Sequence, residues 1–326
     1  MNESFNPDEI RIYVGTDRSQ MVGVKVLEYS IGKHTQRPFR VIPMGDLGLP
    51  DPKDVRQAKR TGFSFNRFAI PRLAGFQGKA IYMDADMQVF SDIGDLWDIP
   101  FEGKKMLIQE DIPDEHVNAV GSLIPRKRVK QCAVSLLDCE QLQWNPEEII
   151  AGLDGKYTYE ELMHHLCILD ESEVGYVIPF QWNSLEHWDE KTKNIHYTDM
   201  HTQPWVSPVN RFGWVWINQV KEMLDEKALT WEELEEEVRL GYARPSLLKE
   251  LKLEEDLSVP SKQRVKMLEE IDQKAAFVKH KAVYEAKKIR KKAEQVYINS
   301  LSAPNRVFYL WQKVTGKMKR LCGVAH

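Results

Sequence analysis

Hydrophobic positions in the first two-thirds of the chain alternate between a period near two and a period near 3.6. Residues 10–14 (Ile-Arg-Ile-Tyr-Val) alternate and stop at Gly15, which predicts a first strand. Val22, Val26, Leu27 and Ile31 then fall at helical spacing within residues 20–32, and residues 39–42 return to strand length. A helix over residues 65–76, interrupted near Pro71, precedes the most strand-like run of the chain, Lys79-Ala80-Ile81-Tyr82-Met83. Residues 105–109 and 132–137 are further strand-length apolar runs, residues 146–150 and 159–166 predict helices, and residues 175–178 and 194–197 predict short strands. Strands alternating with helices predict a mainly parallel α/β sheet.

After about Gln219 the pattern changes. Residues 221–240 and 262–300 are charged and helix-favouring, with Pro260 between them. In the second block Leu268, Ile271, Ala275, Val278, Ala282, Ala286, Ile289, Ala293 and Val296 step by three or four, which predicts one apolar stripe along a single long helix packed on a neighbour. Its alanine-rich seam argues against an intermolecular coiled coil. The expected division is therefore residues 1–215 as the α/β domain and residues 216–326 as a helical, basic extension.

Charge sharpens that division. The 326-residue chain carries a net charge of −4, but residues 261–326 hold 16 Lys/Arg against 5 Asp/Glu, leaving 29 against 44 for residues 1–260. An acidic body with a basic tail points to an anionic partner. Pro304 suits the first turn of a helix, and Phe308, Tyr309, Leu310 and Trp311 stand beside Lys313, Lys317, Lys319 and Arg320. Residues 303–326 thus describe either a helix lying in an anionic membrane interface or a terminal helix whose aromatics dock on the body. No recognition motif accompanies the charge, so nucleic acid is not the expected partner. No run approaches the roughly 20 apolar residues that span a bilayer. The polar segment 1–9 is unlike a secretory signal, and Cys132, Cys139, Cys167 and Cys322 lack C-x-x-C spacing, so the expectation is a cytoplasmic protein with reduced thiols, peripheral at most to the inner membrane face.

The candidate chemistry sits at Asp84-Ala85-Asp86, directly after the strand ending at Met83. Two carboxylates one residue apart at the rim of a sheet can hold a hard cation such as Mg²⁺ or Mn²⁺, which often brings a diphosphate with it. In open α/β sheets ligands bind outside the carboxyl ends of strands, which is where this pair falls. Haloacid-dehalogenase-type phosphatases also carry D-x-D after a strand, but Gln88 stands where they want Thr or Val.

The flanking residues say more. Arg67 lies seventeen residues before Asp84, and Tyr82, Asp84, Asp86, Val89, Asp92, Ile93, Leu96 and Trp97 fit the pattern Y-h-D-x-D-x-x-V-x-x-D-[IL]-x-x-L-[WF]. The segment 65–97 resembles glycosyltransferase family 8, the glycogenin and bacterial galactosyltransferase family. Val14-Gly15-Thr16-Asp17, Pro179-Phe180-Gln181-Trp182-Asn183, and Asn194-Ile195-His196-Tyr197 followed by Pro204-Trp205 resemble further family segments, so the likeness covers about residues 10–210. It implies an α/β fold of the GT-A type: a nucleotide-diphospho-sugar transferase domain with a mainly parallel mixed sheet flanked by helices, followed here by an α-helical C-terminal extension.

By that resemblance Asp84, Asp86 and His196 would hold Mn²⁺ or Mg²⁺, with His201 the rival imidazole of the same loop. Thr16, Asp17, Arg67, Asp84, Ala85, Asp86 and Gln203 would contact the nucleotide sugar. The chain departs from the pattern at five points: the spacing from His196 to Trp205 is one residue longer, the glycine of that motif is absent, and three further differences follow. Gln203 replaces the lysine that meets the diphosphate, with Arg67 or Arg211 as possible substitutes. Cys132-Ala133-Val134-Ser135 replaces N-[AS]-G-V. The D-Q pair that touches the donor sugar has no clear counterpart, the nearest region offering Tyr159, Glu160 and Glu161. The implied activity is metal-dependent transfer of a sugar from a nucleotide donor, a UDP-sugar by family habit, to an acceptor hydroxyl with retention of configuration. The acceptor is a glycan, a lipid-linked precursor or a protein. The alternative is a catalytically degenerate transferase-like module that binds carbohydrate or a membrane surface.

Overall fold

The computed structural model describes residue 6, residues 8–110 and residues 130–311 of the chain. Its frame is a six-stranded sheet in the order β2-β1-β3-β6-β5-β7, formed by β1 (Ile10–Gly15), β2 (Phe39–Met44), β3 (Lys79–Asp84), β5 (Met106–Gln109), β6 (Val134–Asp138) and β7 (Val174–Ile178). Strand β1 pairs in parallel with β2 and β3, β5 pairs in parallel with β7, and β6 alone runs antiparallel between β3 and β5. The mainly parallel mixed sheet is as expected from the alternation of elements.

Both faces of this sheet are covered, so its central strands are apolar on both sides rather than alternating with polar residues. Tyr13 of β1 and Tyr82 of β3 enter one core with Phe65, Phe68, Leu137, Trp144 and Leu162. Ile12, Val14, Ile81 and Met83 enter the opposite core with Leu27 and Ile31 of α1 (Met21–His34) and with Trp97. The one charged residue within β1, Arg11, is buried and donates to the carbonyls of Gln77 (2.5 Å) and Lys79 (2.7 Å), which fastens the turn that launches β3. The helix expected over residues 65–76 is shorter: a 3-10 turn, Asn66–Ala69, runs into α2 (Ile70–Leu73). Pro71 falls in the first turn of α2, where its missing N–H leaves no bond unmade.

A second, three-stranded sheet stands beyond the carboxyl end of β3. It joins β4 (Met87–Val89) to β9 (Asn194–His196) antiparallel, and β9 to β8 (Ser184–Leu185) parallel. The helices α3 (Ile93–Trp97), α4 (Pro146–Gly152) and α5 (Tyr159–His165) complete the α/β body.

The C-terminal half begins with α6 (Gly213–Asp225), so the division expected after residue 215 falls inside this helix. Val22 and Val26 of α1 share a third core with Trp205, Trp216, Ile217, Val220 and with Leu234 of α7 (Trp231–Arg239) and Leu247 of α8 (Ser246–Glu250). The single long helix expected over residues 262–300 is two helices, α9 (Lys262–Lys274) and α10 (Lys281–Ser300). Ala276 (φ 51°) and His280 (φ 44°) take left-handed backbone conformations between them, and Phe277 turns toward the third core. The apolar stripe is therefore split: Leu268 of α9 is buried, whereas Ile289 and Val296 of α10 are 61% and 63% exposed.

Residues 303–311 form a further helical segment. Tyr309 docks on α10, its hydroxyl donating to Glu294 (3.3 Å) and its ring meeting that of Tyr297 (centroids 5.3 Å apart). Val307, Phe308, Leu310 and Trp311 stay exposed. The basic positions Lys313, Lys317, Lys319 and Arg320 lie outside the described residues. Among the described residues no helix is long and apolar enough to cross a membrane.

Candidate functional site

The register of β1 on β3 sets Gly15 opposite Asp84, and the Ala85 N–H donates to the Gly15 carbonyl (3.2 Å). A side chain at residue 15 would collide with Tyr82, whose hydroxyl lies 2.3 Å from where a Cβ would stand. That hydroxyl donates to Asp84 Oδ1 (2.5 Å). Arg67 in turn donates to the Tyr82 hydroxyl (3.0 Å) and to the Cys132 carbonyl (3.3 Å), and its guanidinium stays 3.7 Å from Asp84 Oδ1. Arg67 therefore backs the Asp84 carboxylate through Tyr82. Burial pushes the Asp84 carboxyl above its ordinary value, Arg67 and His196 pull it down, and Asp86 pushes it up again.

Asp86 precedes β4, and the pairing of β4 with β9 sets Met87 opposite His196. That pairing, with the Tyr197 N–H donating to the Asp86 carbonyl (2.8 Å), carries His196 from a remote part of the chain to the acidic pair. His196 is buried, its Nε2 lying 3.0 Å from Asp86 Oδ1 and 3.8 Å from Asp84 Oδ2. One ligand atom from each of Asp84, Asp86 and His196 lies within 4.8 Å of the others. His201 stands apart from this group, its ring against the Tyr284 hydroxyl (2.8 Å from Nδ1).

The hydrogen bonds behind this group define its chemistry. Asn183 Nδ2 donates to Gln109 Oε1 (2.7 Å), so the Asn183 oxygen faces His196 Nδ1 at 2.7 Å and accepts its proton. Nε2 is then the lone-pair nitrogen, directed at two carboxylates. Asp86 Oδ1 is buried and has no hydrogen-bond partner. A buried carboxylate oxygen 3.0 Å from this nitrogen calls for a positive charge between them, either a proton on Nε2 or a metal cation. Two carboxylates and one neutral imidazole form a donor set that suits a hard divalent cation.

Gln203, the position where a diphosphate-binding cation was expected, is buried. Its Nε2 donates to Asp86 Oδ2 (2.7 Å) and to the Tyr197 carbonyl (3.0 Å), so it holds the Asp86 carboxylate in place. Asp17 Oδ1 accepts from the backbone N–H (2.8 Å) and hydroxyl (2.5 Å) of Ser19, capping the 3-10 turn Arg18–Gln20. Thr16 is buried beside it. Thr16 and Asp17 line an open cavity of about 1000 Å³ beyond the carboxyl ends of β1 and β2, with Glu233 and Glu237 of α7 also in its lining. A second cavity of about 410 Å³ is lined by Arg211, Trp214 and Arg264, and Asp84, Asp86 and His196 are in the lining of neither cavity.

The region nearest the missing D-Q pair is built for structure. Tyr159 is buried against Phe65, Glu161 forms a capping box with Thr158 at the start of α5, and Glu160 lies 3.5 Å from Arg60. One functional neighbour escaped the sequence reading. Glu186 accepts from the Asp199 N–H (2.8 Å) and Asn210 Nδ2 (2.9 Å), while its own N–H donates to the His196 carbonyl (3.0 Å). It ties the 199–210 loop to β9. Burial pushes its carboxyl above the usual range, against those two bonds and His196. Only its place three residues after Asn183 hinted at this.

Residues 22–150 match the model of the family described as glycosyl transferase family 8. Over 240 residues the chain is 27% identical to Protein CDI of Arabidopsis thaliana, spanning 68% of this chain and 90% of that protein. Among solved structures it is similar to the bifunctional glycosyltransferase WbbM in its apo form (17% identity, TM-score 0.49, 72% of this chain). The chain spans about half of that structure's length, 52%. It is also similar to the galactosyltransferase LgtC in complex with donor and acceptor sugar analogues (14% identity, TM-score 0.42, 60% of this chain and 89% of that one). The mainly parallel mixed sheet flanked by helices is the kind of α/β architecture that the motifs imply. Arg67, Asp84, Asp86, Asp92 and Trp97 all lie inside the segment that matches the glycosyl transferase family 8 model, and that match supports a glycosyltransferase.

Proposed function

We propose that the protein is a divalent-cation-dependent transferase that moves a sugar from a nucleotide donor, a UDP-sugar, to an acceptor hydroxyl with retention of configuration. The observation that carries this reading is the group Asp84, Asp86 and His196, with the Nε2 lone pair and the unpartnered Asp86 Oδ1 turned toward one another. These three side chains would hold Mn²⁺ or Mg²⁺. Such a cation, when bound, stabilises the charge that develops on a departing diphosphate. Asn183 and Gln203 fix the orientation of His196 and Asp86. Arg67 and Tyr82 fix Asp84, and Ala85 keeps the backbone of the acidic turn against β1. Thr16 and Asp17 line the cavity of about 1000 Å³, a volume that suits the nucleoside part of the donor.

The test is thermal stabilisation of the full chain by UDP and a set of UDP-sugars with and without Mn²⁺, because a ligand that binds only the folded state raises its stability. Mn²⁺-dependent stabilisation that disappears in Asp86→Ala is the expected result. No stabilisation by UDP or any UDP-sugar would overturn the reading. A degenerate binding module is favoured by one observation, the conversion of the D-Q region into a helix cap. It predicts donor binding without turnover in a nucleotide-release assay. The acceptor we infer is a lipid-linked or envelope glycan precursor at an anionic membrane surface. Exposed Val307, Phe308, Leu310 and Trp311 next to the basic C-terminal segment support that partner.

A further inference from the structure

We propose that the N-terminus of α10, together with the His280 imidazole, is the anion-binding half of the donor site and receives the diphosphate of the nucleotide. The inference rests on the nucleotide-donor reading above. It supplies the phosphate partner that Gln203, turned to Asp86, does not.

The α9–α10 turn is tied to the loop that follows β9 at two points. Lys279 donates to the His201 carbonyl (2.7 Å) and the Ser207 hydroxyl (2.8 Å). Further along α10, Arg290 donates to the Lys59 carbonyl (2.7 Å), and the Arg56 guanidinium stacks 3.5 Å over the Tyr297 ring. The helix therefore bridges the loop after β9 and the loop after β2. Its first residue follows His280, which adopts the left-handed conformation (φ 44°) that side chains rarely take without a compensating contact.

His280 is only 8% exposed, yet its Nε2 has no hydrogen-bond partner. Burial pushes the imidazole below its ordinary value, and the carboxylates of Asp86 and Asp17 act against that. Geometry sets the helix start beside the loop that follows His196, since the Tyr284 hydroxyl in the opening turns of α10 meets His201 Nδ1 (2.8 Å) and Lys279 holds the His201 carbonyl. No side chain caps α10, and its first turn carries no acid. An uncapped helix start presents free N–H groups and about half a positive charge. Across from it, a cation held by Asp84, Asp86 and His196 would present a second positive pole. A diphosphate between the two satisfies both, along with His280 Nε2 as a hydrogen-bond donor.

The test titrates the full chain with UDP in the presence of MnCl2, and separately with uridine and with MnCl2 alone. In His280→Ala, UDP affinity should fall about 10- to 100-fold, the size expected for a hydrogen bond to a charged group, with uridine and Mn²⁺ affinities unchanged. His280→Gln, which keeps an N–H donor, should recover most of the loss. Val283→Asp sets a carboxylate in the first turn of α10. It should weaken UDP binding while leaving the melting temperature equal or higher, because an acid there suits the helix dipole. Wild-type protein that binds UDP no more tightly than His280→Ala and Val283→Asp would overturn this inference and leave the donor reading standing. Wild-type protein that binds Mn²⁺ but no UDP would overturn both.

Discussion

Asn183 Oδ1 and His196 Nδ1 meet at 2.7 Å, and this one contact decides which imidazole nitrogen faces Asp84 and Asp86. The Asn183 amide is itself oriented by Gln109, so the direction of the bond is set two side chains away from any ligand atom. Asn183→Ala should leave the fold intact but free the imidazole to rotate and change tautomer. Losing such a partner behind a metal-binding histidine typically lowers metal affinity by about 10- to 100-fold. Mn²⁺ titration by calorimetry should show that loss, and an unchanged affinity would mean the bond does not orient the ligand.

Asp84 is held at a cost to the metal-free protein. Burial and the neighbouring Asp86 both raise its carboxyl above the ordinary 3.8, against the pull of Arg67 and His196. A carboxyl raised on folding supports the fold fully below its ordinary value and loses that contribution as pH rises through its higher folded value. Metal-free Asp84→Asn should therefore be more stable than wild type at neutral pH, by about 0.5–2 kcal/mol, the usual size of such a gain. The difference should vanish below about pH 3.8, the carboxyl's ordinary value, and the variant should lose Mn²⁺ stabilisation. Denaturant melts at several pH values, each with and without EDTA, would check the sign.

Gln203 makes a prediction that runs against family expectation. Because its amide holds Asp86 Oδ2 and the Tyr197 carbonyl, restoring a lysine there would place an ammonium against a ligand carboxylate. Gln203→Lys should weaken Mn²⁺ binding through competition for Asp86, and Gln203→Leu should weaken it through loss of orientation. Tighter UDP binding by Gln203→Lys at unchanged Mn²⁺ affinity would instead place residue 203 in direct reach of the phosphates.

The legible parts of the sequence were those where pattern and packing agree. Strands β1 and β3 are buried on both faces, and each stops at a polar residue or glycine where the sheet ends, so the position of Asp84 followed from the run before it. His196 was found because a distant motif carried it, and the β4–β9 pairing is the physical form of that link. The break between α9 and α10 was invisible. Ala276 and His280 are neither glycine nor proline, and the three-and-four spacing of small and apolar residues runs straight through them. Tertiary contacts of Phe277 and Lys279 impose the turn against local preference. Glu186 was missed for a related reason, since its role is to join two loops that lie apart in sequence.

The C-terminal helix leaves its aromatics facing outward, and this bears on where the enzyme works. Tyr309 turns back onto α10, while Phe308 and Trp311 stack on each other (centroids 6.3 Å apart) and remain 58% and 60% exposed. Burying two such rings in a lipid interface is favourable, and aromatic rings beside lysines are common where a helix lies in that interface. Full-length protein should float with vesicles containing phosphatidylglycerol and not with neutral vesicles. The effect should weaken with salt, as expected for attraction between a basic segment and an anionic leaflet. Deleting residues 303–326 should abolish flotation, and the double change Phe308→Ser and Trp311→Ser should do so without lowering the melting temperature, because both rings are exposed and neither is among the residues of the three cores. Equal flotation of the truncated and full-length chains would move the membrane contact elsewhere, and a melting temperature lowered by the double change would mean the rings support the fold instead.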